Sequence, residues 1–153
     1  MNEEVAIASG VRKRSPLVLV ADDFPDAQTV YGLTFRKEGY RVAFASSGEE
    51  AIALARDLHP DAVVMDLCLR GRDGYFAMCE LRADPKLEAI PVVAVSGYGD
   101  PAHETAAYEC GCDMFVCKSC PMETLLSIVH GLIARSSVMK VAVAAPAIEG
   151  AES

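Results

Sequence analysis

Five short apolar segments recur along the chain, separated by stretches of mixed polarity. They are LVLVA at 17–21, VAFA at 42–45, AVVM at 62–65, VVAV at 92–95 and MFVC at 114–117. None alternates cleanly between apolar and polar residues, which is typical of strands buried on both faces of a parallel sheet. We therefore expect each segment to form one strand of such a sheet.

The stretches between these segments have a helical period. Ser47 and Glu50 have the spacing of a capping box at the start of one helix. The predicted apolar face of that helix carries Ala51, Leu54, Ala55 and Leu58. Pro121 is well placed as the first residue of a last helix, whose apolar positions continue to Ile133. The other three helices are predicted over residues 25–38, 74–83 and 101–110.

Strands that alternate with helices predict an α/β domain with right-handed crossover connections. We place this single domain at residues 16–134. Residues 1–15 lack apolar periodicity, so we expect a disordered leader there. Residues 135–153 are rich in alanine and interrupted by Pro146, which predicts a flexible C-terminal tail. The alternative for this tail is a short partner-docking segment built on residues 138–143.

Composition and charge narrow the classes of protein that remain. The chain has 153 residues, of which 52% are hydrophobic and 24% charged, as in a globular protein with a substantial core. A net charge of −8 argues against binding to nucleic acid. No apolar run is long enough to span a membrane, and MNEEVAIASG lacks the basic start of a signal peptide. We expect a cytoplasmic protein without membrane contact, whose six cysteines are reduced thiols.

Polar side chains follow four of the predicted strands at the point where each strand ends. Asp22 and Asp23 follow the first strand, Asp66 the third, Ser96 the fourth and Lys118 the fifth. The carboxyl ends of parallel strands meet at one edge of a doubly wound sheet, so these side chains should converge there. Each pair of like charges about 4 Å apart costs about 4 kcal/mol at an effective dielectric of about 20, so the carboxylates need positive partners.

Two cations would offset this repulsion. Lys118 offers one positive charge, and a divalent ion such as Mg²⁺, which prefers oxygen ligands, would neutralise the rest. The acids after the first strand can hold the ion, which leaves Asp66 free to attack phosphorus as a nucleophile. Mg²⁺, Lys118 and the Ser96 hydroxyl would then stabilise charge on the phosphoryl oxygens.

This constellation resembles the receiver domain of two-component response regulators, in the stand-alone form of the chemotaxis regulator. The matching motifs are VLVADD at 18–23, VVMDLCLRGRDG at 63–74, VVAVSGYG at 92–99 and FVCK at 115–118. The resemblance implies a flavodoxin-like doubly wound five-stranded parallel sheet of order 2-1-3-4-5, with five helices. The chain would be no enzyme beyond self-catalysed phosphotransfer to Asp66 and hydrolysis from it.

The resemblance also implies a role for each site residue. Asp66 would be the phosphoacceptor, and Mg²⁺ would be bound by Asp22, Asp23, Asp66 and the backbone carbonyl of Cys68. Ser96 would be the switch hydroxyl, Phe115 the switch aromatic and Lys118 the partner of the phosphoryl group. A sensor histidine kinase or phosphotransfer protein would supply the phosphoryl group, and a downstream protein would bind residues 101–134. Asp73-Gly74 matches the turn before the third helix, where glycine would supply backbone freedom.

Four positions near the site modify this expectation. Ser119 stands where the family usually has a proline after the lysine, often in a cis bond, so Lys118 should be aimed less rigidly. Arg70 replaces a frequent proline in the loop after the phosphoacceptor. Gly97 leaves room for a phosphoryl group, and Tyr98 could shield phosphoaspartate from water.

Two further functions stay open as alternatives. The first is an interaction module that keeps the fold and works without phosphorylation. The second, an enzyme of flavodoxin or haloacid-phosphatase type, lacks a loop for the flavin phosphate and has Cys68 where a second acid is needed. The cysteines around Lys118 permit a local redox pair, Cys117 with Cys120. A zinc cluster that also includes Cys110 and Cys112 is not expected, because the fifth strand separates the two pairs.

Overall fold

The computed structural model describes residues 14–69, 73–97 and 99–144. Its strands are β1 (Leu17–Ala21), β2 (Arg41–Ala45), β3 (Ala62–Asp66), β4 (Val92–Ser96) and β5 (Met114–Cys117). Its helices are α1 (Pro25–Lys37), α2 (Gly48–Leu58), α3 (Asp73–Ala83), α4 (Pro101–Glu109) and α5 (Met122–Ala144). The alternation of strands and helices predicted from the sequence is confirmed.

The five strands form one parallel sheet of order β2-β1-β3-β4-β5, which confirms the predicted doubly wound topology. β2 lies on one side of β1, and the chain then crosses back over β1 so that β3, β4 and β5 lie on its other side. The pairing registers align the carboxyl ends of β3, β4 and β5: Asp66 pairs with Val95, and Ser96 pairs with Cys117. Polar residues at these strand ends are thereby brought to the same edge.

The sheet separates two hydrophobic cores. On β1, Leu19 and Ala21 face the core that is closed by α2, α3 and α4. Val18 and Val20 face the opposite core, closed by α1 and α5. Because every side chain of β1, β3 and β4 is buried, these strands could not show apolar–polar alternation. The outer strands β2 and β5 are less buried, since each has a neighbour on only one side.

The capping box predicted for α2 forms, with one change. The Glu50 N–H donates to the Ser47 hydroxyl at 3.1 Å, while the Glu50 carboxylate accepts from the Ser46 N–H at 2.8 Å instead of the Ser47 N–H. Ala51 and Ala55 are buried as predicted, but Leu58 is 41% exposed. The prediction for Leu58 was wrong because it is the last residue of α2 and lies beyond the core.

The last helix is longer than predicted. Pro121 lies directly before α5, and its carbonyl accepts from the Thr124 and Leu125 N–H groups. The helix then continues to Ala144, so the first ten residues of the predicted tail are helical. No proline or glycine occurs between residue 132 and Pro146, so nothing local stops the helix at residue 134. Whether residue 134 ends the domain stays a prediction, and residues 145–153 lie outside the described residues.

The N-terminal boundary also stays a prediction, since residues 1–13 lie outside the described part of the chain. Ser15 and Pro16 are attached to β2. The Ser15 carbonyl accepts from Nε of Arg41 at 2.9 Å, and the Pro16 carbonyl accepts from the Arg41 N–H at 2.8 Å. Across the described ranges, no helix is both long and apolar enough to cross a membrane.

Candidate functional site

Three carboxylates converge at the carboxyl edge of the sheet, as the strand ends predicted. One oxygen each of Asp22, Asp23 and Asp66 lies within 4.8 Å of the other two. Asp22 and Asp66 are buried, at 1% and 4% exposure, whereas Asp23 is exposed. Among the described residues, this is the only group of three or more acids, cysteines or histidines close enough to share a metal ion.

Asp66, the last residue of β3, has a donor on each carboxylate oxygen. Oδ1 accepts from the Cys68 N–H at 2.9 Å, and Oδ2 accepts from Nζ of Lys118 at 3.1 Å. The first contact comes from the chain doubling back after β3, and the second reaches across from the end of β5. The buried carboxylate is therefore fixed in orientation, with its charge balanced by one ammonium group.

Asp22 is only half satisfied. Its Oδ1 accepts from the Phe24 N–H at 2.9 Å. Its Oδ2 is buried without a hydrogen bond and has Nζ of Lys118 at 3.5 Å, within range of an ion pair. Burial, and then the negative charge of Asp66, raises the pKa of Asp22 above its ordinary value, although the Phe24 N–H opposes this. A buried carboxylate oxygen without a hydrogen bond is costly, and a cation would satisfy it.

These residues fit Mg²⁺. A hard divalent cation takes oxygen ligands, and here carboxylate oxygens from three acids face one small volume. The unsatisfied Oδ2 of Asp22 belongs to this group of acids. Asp22, Asp23 and Asp66 are the residues that would hold the ion. The Cys68 carbonyl stays a predicted ligand; its residue is exposed and lies in the loop directly after Asp66.

Lys118 contacts both buried carboxylates and the end of β4. Burial alone would lower the pKa of Lys118, but the hydrogen bond and charge of Asp66, together with Asp22, outweigh it and raise the pKa. The Lys118 N–H donates to the Ser96 carbonyl at 2.8 Å. The Lys118–Ser119 bond is trans, like every other peptide bond of the described chain. A trans bond without proline thus still places Nζ next to Asp66.

Ser96, the last residue of β4, is completely buried. It lies one residue past Val95, which is the register partner of Asp66 on the neighbouring strand. The next residue, Gly97, is exposed, and a Cβ added there would meet no atom within 4 Å. The space that a side chain at position 97 would fill is therefore open; its use by a phosphoryl group stays a prediction. Tyr98 and Arg70, both singled out in the sequence, lie outside the described residues.

Phe115 lies on β5 and is half-buried against the core that α2, α3 and α4 close. Its N–H donates to the Tyr108 hydroxyl at 3.2 Å, and this hydroxyl also lies 3.8 Å from Sδ of Met114. The contact ties α4 to β5. Its role as a switch aromatic stays a prediction.

The structure gives Gly74 a different role from the one expected. It lies in the first turn of α3, and its backbone does not have a positive φ. A Cβ at this position would lie 2.7 Å from the Leu67 Cα and closer still to the Asp66 carbonyl oxygen. Glycine is therefore needed for the close approach of α3 to the loop after Asp66, and not for backbone freedom.

One contact of the site could not have been found from the sequence. The Gln28 side chain on α1 donates from Nε2 to the Asp22 carbonyl at 2.6 Å and reaches the Ser46 hydroxyl at 3.3 Å. It fastens the β1–α1 loop, which carries both Asp22 and Asp23, to the end of β2. Gln28 has no distinguishing spacing or neighbour in the sequence, so only the fold reveals the contact.

Comparison with known proteins identifies the family of this chain. The chain matches the family model described as response regulator receiver domain over residues 18–130 and belongs to that family. Receiver domains are the signalling modules of two-component systems; phosphorylation of an aspartate and binding of Mg²⁺ are general to the family. They interact with histidine kinases or phosphotransfer proteins.

Individual relatives are similar at the level of the domain. The chain is 30% identical to the protein PilH of Pseudomonas aeruginosa, over 76% of this chain and 97% of PilH. It is also 30% identical to the DNA-binding dual master transcriptional regulator RpaA of a Synechocystis species, over 79% of this chain. The chain spans 50% of the length of RpaA. It likewise spans about half the length of other curated regulators that it matches.

One similar solved structure contains a metal ion. The receiver domain of a sensor histidine kinase from Pseudomonas aeruginosa was solved with a magnesium ion coordinated in its active-site cleft. It is 28% identical, with a TM-score of 0.73, over 78% of this chain and 98% of that one. A receiver domain of a histidine kinase from Syntrophus aciditrophicus is similar, at 28% identity and a TM-score of 0.73 over 78% of this chain and 91% of that one.

Proposed function

We propose that this chain accepts a phosphoryl group on Asp66 from the phosphohistidine of a histidine kinase or phosphotransfer protein. The observation that carries the proposal is the geometry of the two buried carboxylates. Asp66 is oriented by a donor on each oxygen, and the unsatisfied Oδ2 of Asp22 lies beside it. Structural ion pairs do not need such an unsatisfied, buried oxygen, whereas a metal-assisted phosphoryl site does.

In this proposal a carboxylate oxygen of Asp66 attacks phosphorus while the bond from phosphorus to the donor's imidazole nitrogen breaks. The imidazole leaves with the electron pair of that bond. Mg²⁺, when bound, supplies positive charge that offsets the charge of the phosphoryl oxygens. Lys118 exchanges its contact with Asp66 for one with a phosphoryl oxygen, and the Ser96 hydroxyl donates to another.

The output would come through the surface formed by residues 101–134, which comprises α4, β5 and the first half of α5. Tyr108 and Met114 on this surface are 42% and 36% exposed, so both large side chains are available to a protein partner. Both lie next to Phe115 and share the Tyr108 hydroxyl contact. A phosphoryl group adds about −1.5 to −2 charge units at the other end of β5, where Lys118 follows the strand.

Intact mass after incubation with phosphoramidate and Mg²⁺ tests this proposal. We expect one phosphoryl group on the wild type, removable by hydroxylamine, and none on Asp66→Asn. A matched control is Asp57→Asn, since Asp57 is an exposed carboxylate on α2 away from the site; it should be phosphorylated like the wild type. Equal phosphorylation of Asp66→Asn, or none of the wild type, would contradict the proposal.

The alternative of a phosphorylation-independent module is tested by the same measurement. Ser119 and Arg70 favour this alternative slightly, since without a proline at position 119 the lysine should be aimed less rigidly. The contact of 3.1 Å between Lys118 and Asp66 supports the phosphoacceptor instead. A wild type that takes no phosphoryl group yet binds its partner would favour the alternative.

A further inference from the structure

We propose that Cys117 and Cys120 form a reversible disulfide that shifts Lys118 and thereby blocks phosphoryl transfer to Asp66. The phosphoryl-transfer part rests on the function proposed above. The pair brackets the lysine in the sequence Cys117-Lys118-Ser119-Cys120. No step of the phosphoryl transfer uses either thiol.

The backbone brings the two cysteines within reach of each other. The Cys120 N–H donates to the Cys117 carbonyl at 3.0 Å, which closes a four-residue turn. The Cα atoms at the ends of such a turn lie less than about 7 Å apart, and disulfides usually span about 4.4–6.8 Å between Cα atoms. Both cysteines are half-buried, so a small oxidant can reach them.

In the reduced protein the two thiols point to different neighbours. Sγ of Cys117 lies against Gly99 in the loop between β4 and α4; a Cβ added to Gly99 would be only 2.6 Å from it. Sγ of Cys120 lies 3.6 Å from the Pro121 carbonyl, and its side chain packs on the core closed by α1 and α5. A disulfide therefore requires rotation of both side chains and adjustment of the turn between them.

That adjustment falls on Lys118, one of the two inner residues of the turn. Its ammonium lies 3.1 Å from Asp66 and its N–H donates to the Ser96 carbonyl at 2.8 Å. Ser119 places no proline ring in the turn, so the backbone there can change shape. A displacement of about 1 Å at a reacting group can slow a reaction by about 100-fold.

The chemistry balances with a small-molecule disulfide, such as oxidised glutathione, as the oxidant. The Cys117 thiolate attacks one sulfur of that disulfide, which forms a mixed disulfide and releases one thiol. Cys120 then attacks the Cys117 sulfur and releases the second thiol. The two protein thiols lose two electrons and two protons, and both released thiols carry them. Burial, followed by the charge of Cys117, raises the pKa of Cys120, which lowers its share of thiolate at neutral pH. The closeness of the two residues across the turn favours the second step instead.

A second thiol pair must be distinguished in any test. Cys79 on α3 lies near Cys110, the residue directly after α4, and burial, followed by the interaction with Cys79, raises the pKa of Cys110 to about 11. At neutral pH that thiol is almost entirely protonated and slow to attack a disulfide. Oxidation at this pair would lie on the α3 and α4 side and would leave the turn around Lys118 unchanged.

Trypsin separates these possibilities, because it cleaves after Lys118, inside the proposed disulfide loop. The cleavage yields residues 87–118, which contain Cys110, Cys112 and Cys117, and residues 119–135, which contain Cys120. After oxidation in a glutathione buffer, we expect these two peptides to be linked, with fragmentation that assigns the bond to Cys117 and Cys120. The link should vanish on reduction, in Cys117→Ser and in Cys120→Ser, and should persist in Cys68→Ser. Linkage only through Cys79, Cys110 or Cys112 would overturn the proposal.

The second readout is the rate of phosphorylation by phosphoramidate with Mg²⁺. Oxidised wild type should be phosphorylated at least about tenfold more slowly than reduced wild type, as expected for a misplaced lysine. Cys120→Ser should react equally fast with and without the oxidant. An oxidised protein that contains the mapped bond yet keeps the reduced rate would overturn the block. If the reduced wild type takes no phosphoryl group, the proposed function fails, while the mapping still decides whether the bond forms.

Discussion

Replacing Asp22 by asparagine tests the electrostatics of the site most directly. The substitution removes one buried charge and keeps the size of the side chain. In the absence of Mg²⁺, obtained with a chelator, we expect Asp22→Asn to be more stable than the wild type at pH 7. The reason is that Asp22 and Asp66 are both buried, with oxygens within 4.8 Å of each other.

Two opposing charge interactions set a lower bound on the magnitude, to which the burial of the Asp22 charge adds. At an effective dielectric of about 20, two like charges separated by that distance repel by about 3.5 kcal/mol. Lys118, 3.5 Å from Asp22, attracts it by about 4.7 kcal/mol in the same estimate, but its side chain is 38% exposed. Screening by solvent at least halves that attraction. The asparagine variant should therefore unfold with a free energy higher by about 1–2 kcal/mol.

The pH dependence has a defined sign. The pKa of Asp22 is raised in the folded protein from an ordinary value of 3.8, mainly by burial. The folded state consequently holds this proton more tightly than the unfolded state, and the wild type loses stability as pH rises from about 3.8 through the raised pKa. Below that window the two proteins should be similar in stability, and the advantage of Asp22→Asn should grow across it.

Urea unfolding from pH 3 to pH 7, with and without Mg²⁺, measures all of these effects. Mg²⁺ at ten times its dissociation constant should stabilise the wild type by about 1.4 kcal/mol and should not stabilise Asp22→Asn. Asp23→Asn is the matched control: its carboxylate is exposed, so its removal should change the metal-free stability by less than about 0.5 kcal/mol while it weakens the response to Mg²⁺. A metal-free Asp22→Asn that is less stable than the wild type at pH 7 would refute the reasoning.

The same unfolding assay tests one packing contact, at Gly74, and one helix cap, at Ser47. Gly74→Ala should destabilise by about 1–3 kcal/mol, because its methyl group would overlap the backbone of Leu67 and Asp66. Gly131→Ala in α5 is its control and should stabilise by about 0.5–1 kcal/mol, since a Cβ there meets no atom within 4 Å. Ser47→Ala should cost about 1 kcal/mol, because the Glu50 N–H loses its acceptor; an unchanged stability would contradict the assigned cap.

The sequence was sufficient for the fold because strand burial and chain order are both local signals. Unbroken apolar segments marked the strands, and their alternation with helices predicted an α/β sheet with right-handed crossovers. The strand order 2-1-3-4-5 was implied by the resemblance to the receiver family. The same logic predicted that Asp22, Asp66 and Lys118 would meet, since each directly follows a strand. Which of these carboxylates would lack a partner could not be predicted, because it depends on side-chain distances.

Features that depend on distant parts of the chain escaped prediction. The role of Gly74 follows from the closeness of α3 to the loop after Asp66. In a sequence, a glycine needed for such a close approach cannot be told from a glycine needed for backbone freedom in a turn. The contact of Gln28 with Asp22 joins α1 to the end of β1 through one side chain. The helix α5 is longer than predicted because its apolar face ends at Ile133, whereas no proline or glycine stops the helix before Ala144.

The arrangement around Lys118 also explains why the turn after β5 is a natural place to control the site. The Ser96 carbonyl accepts the Lys118 N–H, so the residue that carries the predicted switch hydroxyl is bonded to the residue that carries the ammonium. Gly99, three residues after Ser96, contacts the Cys117 thiol on the other side of the same turn. A change in this turn therefore acts on the loop after β4 and on the lysine at once. Nζ of Lys118 also lies 3.5 Å from Asp22 and 3.1 Å from Asp66, so oxidation of the turn should slow phosphoryl transfer and should also alter the stabilisation by Mg²⁺.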